Sequence, residues 1–181
     1  MKTRIRQTNG KPPALGFTVI ELMVTLAVAA ILASLAAPSM RTLIERRHLE
    51  GAAREVVGNL VLARSQAIEK NRPSFVSFSI ADDVWSYGLD DIAACDPLVA
   101  DDCQLNGSER VYDSQKWRDV NLTHTFAADE VSFEPRRGMV SDPATVRVAS
   151  PAGTVEIQLS PIGYVSACGV GAAVGRYEVC A

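Results

Sequence analysis

The sequence predicts an α+β fold in which a long N-terminal helix, first transmembrane and then amphipathic, packs on a small antiparallel β-sheet or sandwich domain. Three observations predict this fold. Residues 17–40 are mostly apolar with a single charge, residues 41–72 have the periodicity of an amphipathic helix, and residues 73–181 contain short strand patterns separated by turn signals. A chain of 181 residues has room for one domain and one appended element, and not for a multidomain enzyme.

The first 16 residues are basic, and the segment that follows them is apolar. The leader holds four basic residues and no acidic one, which favours its retention on the cytoplasmic side of a membrane. The 24 residues of 17–40 are too many for the apolar core of a secretory signal. At about 1.5 Å per residue they span a hydrocarbon core of about 30 Å. We therefore predict a single transmembrane helix over residues 17–40.

Two residues interrupt this apolar segment. Glu21 places a carboxylate near its start, where an acidic or basic side chain costs about 2.5–3.5 kcal/mol at a helix centre and somewhat less near the interface. Glu21 therefore requires a positive partner. The alternative is that the segment is an ordinary signal anchor, in which the Glu21 side chain only extends to the membrane–water interface. Pro38 predicts a kink or local melting, because proline lacks a backbone donor.

The apolar segment continues without a stop signal into the amphipathic half, so one helix of over fifty residues is predicted. Residues at helical spacings of three and four form one apolar face: Leu49, Ala52, Val56, Leu60, Ala63 and Ala67. The helix is predicted to end at Asn71-Arg72-Pro73, because Asn accepts a left-handed conformation and Pro cannot continue the hydrogen-bond ladder.

Short strands follow the helix. The segments with strand patterns are 74–80, 84–89, 130–135, 144–150, 154–159 and 164–168. In the first segment Val76, Phe78 and Ile80 alternate with serines, which predicts a half-buried strand. A turn at Asp82-Asp83 joins it to the second segment. Residues 90–125 have no sustained period, and we interpret them as a surface insertion stapled by a disulfide.

All four cysteines follow the apolar segment: Cys95, Cys103, Cys168 and Cys180. An even number of cysteines in an exported domain favours disulfides over metal binding or catalysis. Three connectivities are possible, of which the local pairing of Cys95 with Cys103 and of Cys168 with Cys180 closes the shortest loops. One alternative is four reduced thiols in a cytosolic protein. Another is a zinc site, but neither cysteine pair has the ligand spacing that is usual for zinc.

The start of the apolar segment resembles a known signal. Residues 16–24, Gly-Phe-Thr-Val-Ile-Glu-Leu-Met-Val, closely resemble the class III signal of type IV pilins and type II secretion pseudopilins. The resemblance implies that residues 1–16 are a class III leader, that a prepilin peptidase cuts after Gly16, and that Phe17 becomes the N-methylated first residue. It also implies that Glu21 pairs with the new amine, on the same chain or a neighbouring subunit, and sets register during assembly.

Three further segments resemble the GspH/FimT group of minor pilins and pseudopilins: Ala-Arg-Ser-Gln-Ala-Ile at 63–68, FEPRRGMV at 133–140 and IQLSPIGYVSAC at 157–168. Taken alone, Arg64 is a solvated or locally paired arginine on an amphipathic face. The resemblance covers most of the chain apart from residues 82–128. It implies a type IV pilin-like fold, a bacterial inner-membrane anchor with a cytoplasmic N-terminus, and a periplasmic β-rich domain over 73–181. The implied partners are other minor and major pilins or pseudopilins.

Three functions agree with this resemblance. The first is a minor pilin that contributes to the initiation, assembly or tip of a type IV pilus. The second is the H-type minor pseudopilin of type II secretion, and the third is a FimT-type DNA receptor for natural transformation. The two predicted disulfides and the long insertion favour the pilus subunit.

DNA is not an expected partner. Some FimT-type proteins bind DNA through a Gly-Arg-x-Arg motif, and the best-aligned residues, Gly163-Tyr164-Val165-Ser166, lack both arginines. Removing the four basic leader residues from a formal net charge of −3 leaves −7, whereas DNA affinity depends on Lys and Arg. The remaining candidates for weak DNA contact are Arg136, Arg137, Arg147 and Arg176.

We predict no catalytic residue, metal site or cofactor. His48 and His124 have no visible set of catalytic partners, and the sequence has no nucleophile elbow or phosphate loop. The Asp-rich residues 82–102 suggest calcium as an alternative, but they lack the ligand spacing of an EF-hand. A solvated acidic surface is the preferred interpretation.

Overall fold

The computed structural model describes residues 16–81 and 84–180, without the side chains of residues 36–39. The predicted leader, apart from Gly16, and the Asp82-Asp83 turn therefore lie outside the described residues. The regular elements are helix α1 (Val19–Lys70), strands β1 (Ser74–Ala81), β2 (Val84–Asp90), β3 (Gln104–Leu105), β4 (Ser108–Glu109) and β5 (Val111–Asp113), a 3-10 turn (Ser114–Lys116), and strands β6 (Asn121–His124), β7 (Glu130–Phe133), β8 (Thr145–Ser150), β9 (Gly153–Leu159) and β10 (Val165–Gly169).

The strands form two four-stranded antiparallel sheets and a short hairpin. The first sheet has the strand order β5-β2-β1-β7, the second sheet has the order β10-β9-β8-β6, and β3 pairs with β4. Phe78 pairs with Tyr87 across the β1–β2 hairpin, and Val148 pairs with Val155 across β8 and β9. All six predicted strands are present, so the α+β class with a small antiparallel β domain is confirmed.

Two compact units divide the chain between Met40 and Arg41. The described part of the first unit is the start of α1, and the second unit contains the rest of α1 with all of the strands. Helix α1 is 52 residues long and is assigned as helix without interruption through Pro38. The predicted local melting is therefore not seen, and the kink at Pro38 stays a prediction.

The second half of α1 forms the centre of the core. All six residues of the predicted apolar face are buried, and Ala53 is buried beside them. The core combines this face of small side chains with large side chains from both sheets, including Trp85, Tyr87, Phe133 and Ile157. Burying apolar surface contributes about 25 cal/mol per Å², so packing of this helix face on both sheets stabilises the second unit.

Helix α1 ends where the sequence predicts. Its last residue is Lys70, and Asn71 follows in the left-handed region with φ of 50°. The amide of Arg72 donates to the carbonyl of Ala67 at 3.2 Å, which satisfies one of the last carbonyls of the helix. Strand β1 then starts at Ser74, directly after Pro73.

The first strands are more deeply buried than predicted. Ser77, on the face of β1 that was expected to be open, is buried, and so are Ser86, Gly88 and Asp90 of β2. Residues between β2 and β5 cover this outer face, and a Cβ atom on Gly88 would lie 2.2 Å from the Sγ atom of Cys103. The prediction of a half-buried first strand holds for the face with Val76 and Phe78, which are buried, whereas the other face is partly covered, with Ser77 buried and Phe75 and Ser79 intermediate. Alternation within β1 cannot show that another segment covers part of its polar face.

Residues 90–125 also contain four strands that their sequence did not predict, of which β3 and β4 form the short hairpin. β5 is an edge of the first sheet and β6 is an edge of the second sheet. Between them the indole Nε1 of Trp85 donates to the carbonyl of Val120 at 2.8 Å, and Leu122 is buried in the core. The segment is thus part of both sheets and not only a surface insertion.

Both disulfides follow the local pairing. Cys95 bonds to Cys103, and Cys168 bonds to Cys180. The second disulfide holds the C-terminal residues beside β10, where the amide of Cys180 donates to the carbonyl of Gly169 at 3.0 Å. In the chain-entropy account, each crosslink stabilises the domain by restricting the unfolded state.

His124 lies in an aromatic environment. Its ring is 5.0 Å from the ring of Phe78 and 5.5 Å from that of Phe126, centroid to centroid. Its Nδ1 atom is buried without a hydrogen bond to any described residue, and its Nε2 atom is 3.6 Å from the Oδ1 atom of Asp129. Burial lowers the pKa of His124, and this effect exceeds the opposite effect of the Asp129 carboxylate.

We predict that His124 makes the domain less stable in acid. Because its pKa is lower in the folded state than the ordinary value of 6.5, the unfolded chain binds the proton first as the pH falls. The free energy of unfolding should therefore decrease below about pH 6.5, and the decrease should be smaller in His124→Phe. Urea unfolding of the detergent-extracted chain, followed by tryptophan fluorescence, measures both curves. Equal pH dependence in the two proteins would contradict the prediction.

Candidate functional site

The predicted processing and assembly residues lie at the start of α1. Gly16, Phe17 and Thr18 precede the helix, which begins at Val19. The amide of Glu21 donates to the Oγ1 atom of Thr18 at 3.3 Å, so Thr18 caps the helix. Thr followed three residues later by Glu is the signature of a capping box, a local role for these residues that the sequence reasoning missed.

The described apolar side chains at the start of α1, and Phe17 just before it, are exposed. Phe17 is 82% exposed and Ile20 is 71% exposed, and the other described side chains of residues 16–35 are exposed as well. Helix α1 is long and apolar enough to cross a membrane, by length and composition. A surface of this kind is stable in lipid or against other apolar helices, because helical hydrogen bonds already satisfy most of its backbone polar groups.

Glu21 is exposed on this apolar surface. As the acidic residue in the first turn, its negative charge also agrees with the positive end of the helix dipole. It lies four residues after Phe17, which the resemblance makes the new N-terminus. A carboxylate at this position can attract the amine of its own chain or that of a neighbouring chain.

Arg64, from the family-like segment at 63–68, joins α1 to two turns of the β domain. Its Nε atom donates to the carbonyl of Gly138 at 3.3 Å. Gly163 packs on the same two residues, since a Cβ atom there would lie 1.8 Å from the Gly138 oxygen and 2.9 Å from the Arg64 Nε. We refer to Arg64, Gly138 and Gly163 as the arginine clasp. Arg64 is therefore locally paired, with a backbone carbonyl.

Only glycine fits the two turn positions of the clasp. Gly138 has φ of 63° and Gly163 has φ of 74°, in the left-handed region that other residues rarely adopt. The turns are the ones inside the FEPRRGMV and IQLSPIGYVSAC segments, far apart in sequence from Arg64. The three segments that carry the resemblance thus meet at one place in the fold.

A second contact fixes an earlier part of α1. The indole Nε1 of Trp117 donates to the Oε2 atom of Glu55 at 2.6 Å, and the Nζ atom of Lys116 pairs with the other carboxylate oxygen. The Trp117 ring lies against Gly51, where a Cβ atom would be 2.4 Å from it. The Nδ1 atom of His48 is 3.3 Å from the carbonyl of Arg118, so His48 belongs to this contact.

Two sequence comparisons identify the family. Residues 52–163 match the model of a family described as type II transport protein GspH, and this match spans more than half of the chain. The chain belongs to the GspH family. The prokaryotic N-terminal methylation motif matches residues 13–37. Both resemblances seen in the sequence are thereby confirmed. No curated protein matches this chain.

Two solved structures are similar to this GspH-family chain. The minor pseudopilin EpsH from the type 2 secretion system of Vibrio cholerae has 14% identity and a TM-score of 0.50, with 68% of this chain and 98% of EpsH covered. The type IV minor pilin FimU of Pseudomonas aeruginosa has 17% identity and a TM-score of 0.49, with 65% of this chain and 90% of FimU covered. The likeness to EpsH shows a pilin-type α+β fold.

The candidate DNA-contacting arginines of the GspH-family chain are in different places. The Nε atom of Arg147, on β8, donates to the Oε2 atom of Glu156 at 2.7 Å. Hydrogen bonds from Gln158 and Arg147 lower the pKa of Glu156. Arg147 is therefore already paired with a carboxylate.

The other three arginines are divided between two sites. Arg136 and Arg137 are exposed on the turn that ends at Gly138, beside Arg64 of the clasp. Arg176 follows Gly175, where a Cβ atom would lie 1.8 Å from a carboxylate oxygen of Glu50. Glu50 precedes Arg64 by fourteen residues of α1, which is about 21 Å of helix. The structure does not bring the four arginines together.

Acidic side chains at the end of β2 and between β2 and β3 accept hydrogen bonds from backbone amides of residues 91–104. The Oδ1 atom of Asp90 accepts from the amide of Ile92 at 2.7 Å, and the Oδ2 atom of Asp102 accepts from the amide of Asp96 at 2.6 Å. Asp90 is buried, whereas Asp96, Asp101 and Asp102 are exposed, as expected for a solvated acidic surface. In residues 16–81 and 84–180, no three or more His, Cys, Asp or Glu side chains form a group that could hold a metal ion.

We predict that Gly163→Ala destabilises the domain far more than Gly107→Ala. Gly107 is a matched control, because it has φ of 70° and an added Cβ atom would meet nothing within 4 Å. Both variants incur about 1–2 kcal/mol for the left-handed backbone. Only Gly163→Ala adds overpacking, at about 1–3 kcal/mol or more, because the Gly138 carbonyl must move. Urea unfolding measures the difference, and equal losses in the two variants would contradict the clasp.

Proposed function

We propose that this GspH-family chain is a minor pilin, a subunit that contributes to the initiation, assembly or tip of a type IV pilus. The observation that carries the proposal is the exposed apolar start of α1, which coincides with the N-terminal methylation motif. The apolar surface of such a helix is removed from water only when other subunits or lipid surround it. Assembly is then the work of the chain, and no chemical step is assigned to it.

In this proposal the chain has four regions. Residues 1–16 are the leader, 17–40 the transmembrane helix, 41–72 its amphipathic continuation and 73–181 the periplasmic domain. A prepilin peptidase cuts between Gly16 and Phe17 on the cytoplasmic side. Two disulfides in the exported domain support a periplasmic location, because disulfides persist in oxidising compartments.

Glu21 is proposed to set the register of the subunit. In the low dielectric between packed helices, a carboxylate is strongly attracted to the amine of a neighbouring Phe17. The two charges come close together only when the neighbouring helices have one particular axial offset, so the attraction favours that offset over others. Removal of one partner leaves the other charge unpaired in an apolar surrounding, which is costly.

A minor pseudopilin of type II secretion is the second candidate. It is favoured by the description of the matching family as a type II transport protein. The two candidates share processing, anchor and fold, so they differ in the phenotype of a deletion. Loss of pili and of pilus-dependent motility with normal secretion supports the first. Loss of protein secretion with normal pili supports the second and refutes the first.

A DNA receptor is the weakest of the three candidates. The domain is acidic, Arg147 is paired with Glu156, and the remaining candidate arginines are divided between two sites. Phosphate neutralisation over several contacts requires an array of cations. No salt-dependent gel shift is therefore expected with the detergent-extracted chain.

We predict that Glu21→Gln is processed and inserted normally but enters filaments poorly. Gln keeps the ability to complete the capping box, so this variant removes only the charge. Thr18→Ala is the matched control, because it removes the cap and retains the carboxylate. Incorporation is measured by immunoblot of sheared filaments against total membrane protein. Normal incorporation of Glu21→Gln would contradict the register role, and equal losses in both variants would assign the effect to capping.

A further inference from the structure

The loop closed by the Cys95–Cys103 disulfide is held in one conformation. We refer to residues 91–103 as the stapled loop. Asp90, buried at its base, accepts hydrogen bonds from the amide of Ile92 at 2.7 Å and from the amide of Gln104 at 2.9 Å. One carboxylate thus joins the two limbs of the loop, in addition to the disulfide. A loop that is already ordered loses little conformational entropy on binding.

The stapled loop presents apolar side chains to solvent. Ile92 is 76% exposed, Leu98 is 68% exposed and Val99 is 52% exposed. Asp96 and Asp101 are exposed in the same loop. An apolar centre with a charged edge is typical of an interaction surface. The charge of this edge is negative.

A second apolar surface of opposite charge lies at the arginine clasp. Ile162 and Tyr164, on either side of the clasp glycine in the β9–β10 turn, are 65% and 63% exposed, and Ile68 of α1 is 42% exposed. Arg136 and Arg137 are exposed on the neighbouring turn. We refer to these five residues as the clasp face. It has an apolar centre and a positive edge.

The two surfaces lie on opposite sides of the last turns of α1. The Nδ2 atom of Asn106, just after the stapled loop, donates to the Oε1 atom of Gln66 at 2.9 Å. The clasp face is held by Arg64, through its bond to Gly138. Residues two positions apart are about 200° apart around a helix. The loop and the clasp face therefore point away from each other within one chain.

We propose that the stapled loop of one copy docks on the clasp face of a second copy of this chain. Each surface offers exposed apolar side chains, and their edges have opposite charges, which favours and orients the contact. Because the two surfaces differ, the contact is heterologous and does not form a symmetric dimer. The inference rests on the proposed function, in which membrane anchors bring subunits side by side.

Photo-crosslinking of the full-length chain tests the docking. Benzoylphenylalanine replaces Leu98, and two epitope-tagged forms of the chain are produced together with a prepilin peptidase and irradiated in native membranes. A crosslinked product that contains both tags is expected, with the attached peptide from residues 157–168. Benzoylphenylalanine at Val84, which is 61% exposed outside both surfaces, is the matched control and should yield no product with both tags.

Charge reversal tests the edges. Asp101→Arg and Arg137→Asp should each reduce the Leu98 product about fivefold, and the two substitutions combined should restore it. Asp101→Asn, which tolerates the φ of 61° at this position, checks that charge and not backbone strain causes the loss. A combined variant that remains as weak as the single variants overturns the pairing of these surfaces.

The same membranes separate this inference from the proposed function. The N-terminal peptide shows whether Phe17 has been processed, independently of any crosslink. Processed Phe17 with Leu98 products that contain only other proteins, or with none, overturns docking between copies and leaves the proposed function intact. An unprocessed N-terminus overturns the proposed function, while the product with both tags still reports on docking.

Discussion

One face of the second half of α1 is buried by two sheets, whereas the described apolar side chains of its first half are exposed. This difference determines what each half requires. The second half obtains its stabilisation inside the chain, through the core around Leu49, Val56 and Leu60. The first half has an apolar surface of comparable chemistry, which lipid or other subunits must cover. A chain built in this way is completed by its surroundings, as a filament subunit is.

The periodic parts of the sequence were predictable because local spacing determines them. The buried face of α1, the end of the helix at Asn71 and the six strand segments all follow from spacing and turn chemistry. The predictions were incomplete where a distant segment determines burial. The outer face of β1 and β2 is partly covered by residues that have no period of their own, so no alternation in β1 could indicate it.

The candidate site shows the same limit. Gly16, Phe17 and Glu21 are recognised from a contiguous motif, and the capping role of Thr18 could have been found from the Thr-x-x-Glu spacing. The arginine clasp could not have been found from the sequence, because Arg64 and Gly138 are 74 positions apart. Only the fold brings Arg64 to the Gly138 carbonyl. In the sequence alone, Arg64 is a solvated or locally paired arginine, whereas in the structure it holds a turn of the β domain against α1.

We propose that the exposed start of α1 is cut by a prepilin peptidase and then packs against other subunits. The most direct test is mass analysis of the N-terminal peptide of the membrane-extracted protein, produced with and without a prepilin peptidase. We expect a chain that starts at N-methylated Phe17 only when the peptidase is present. A chain that still starts at Met1 in the presence of the peptidase, or one cut after the apolar segment, would contradict it.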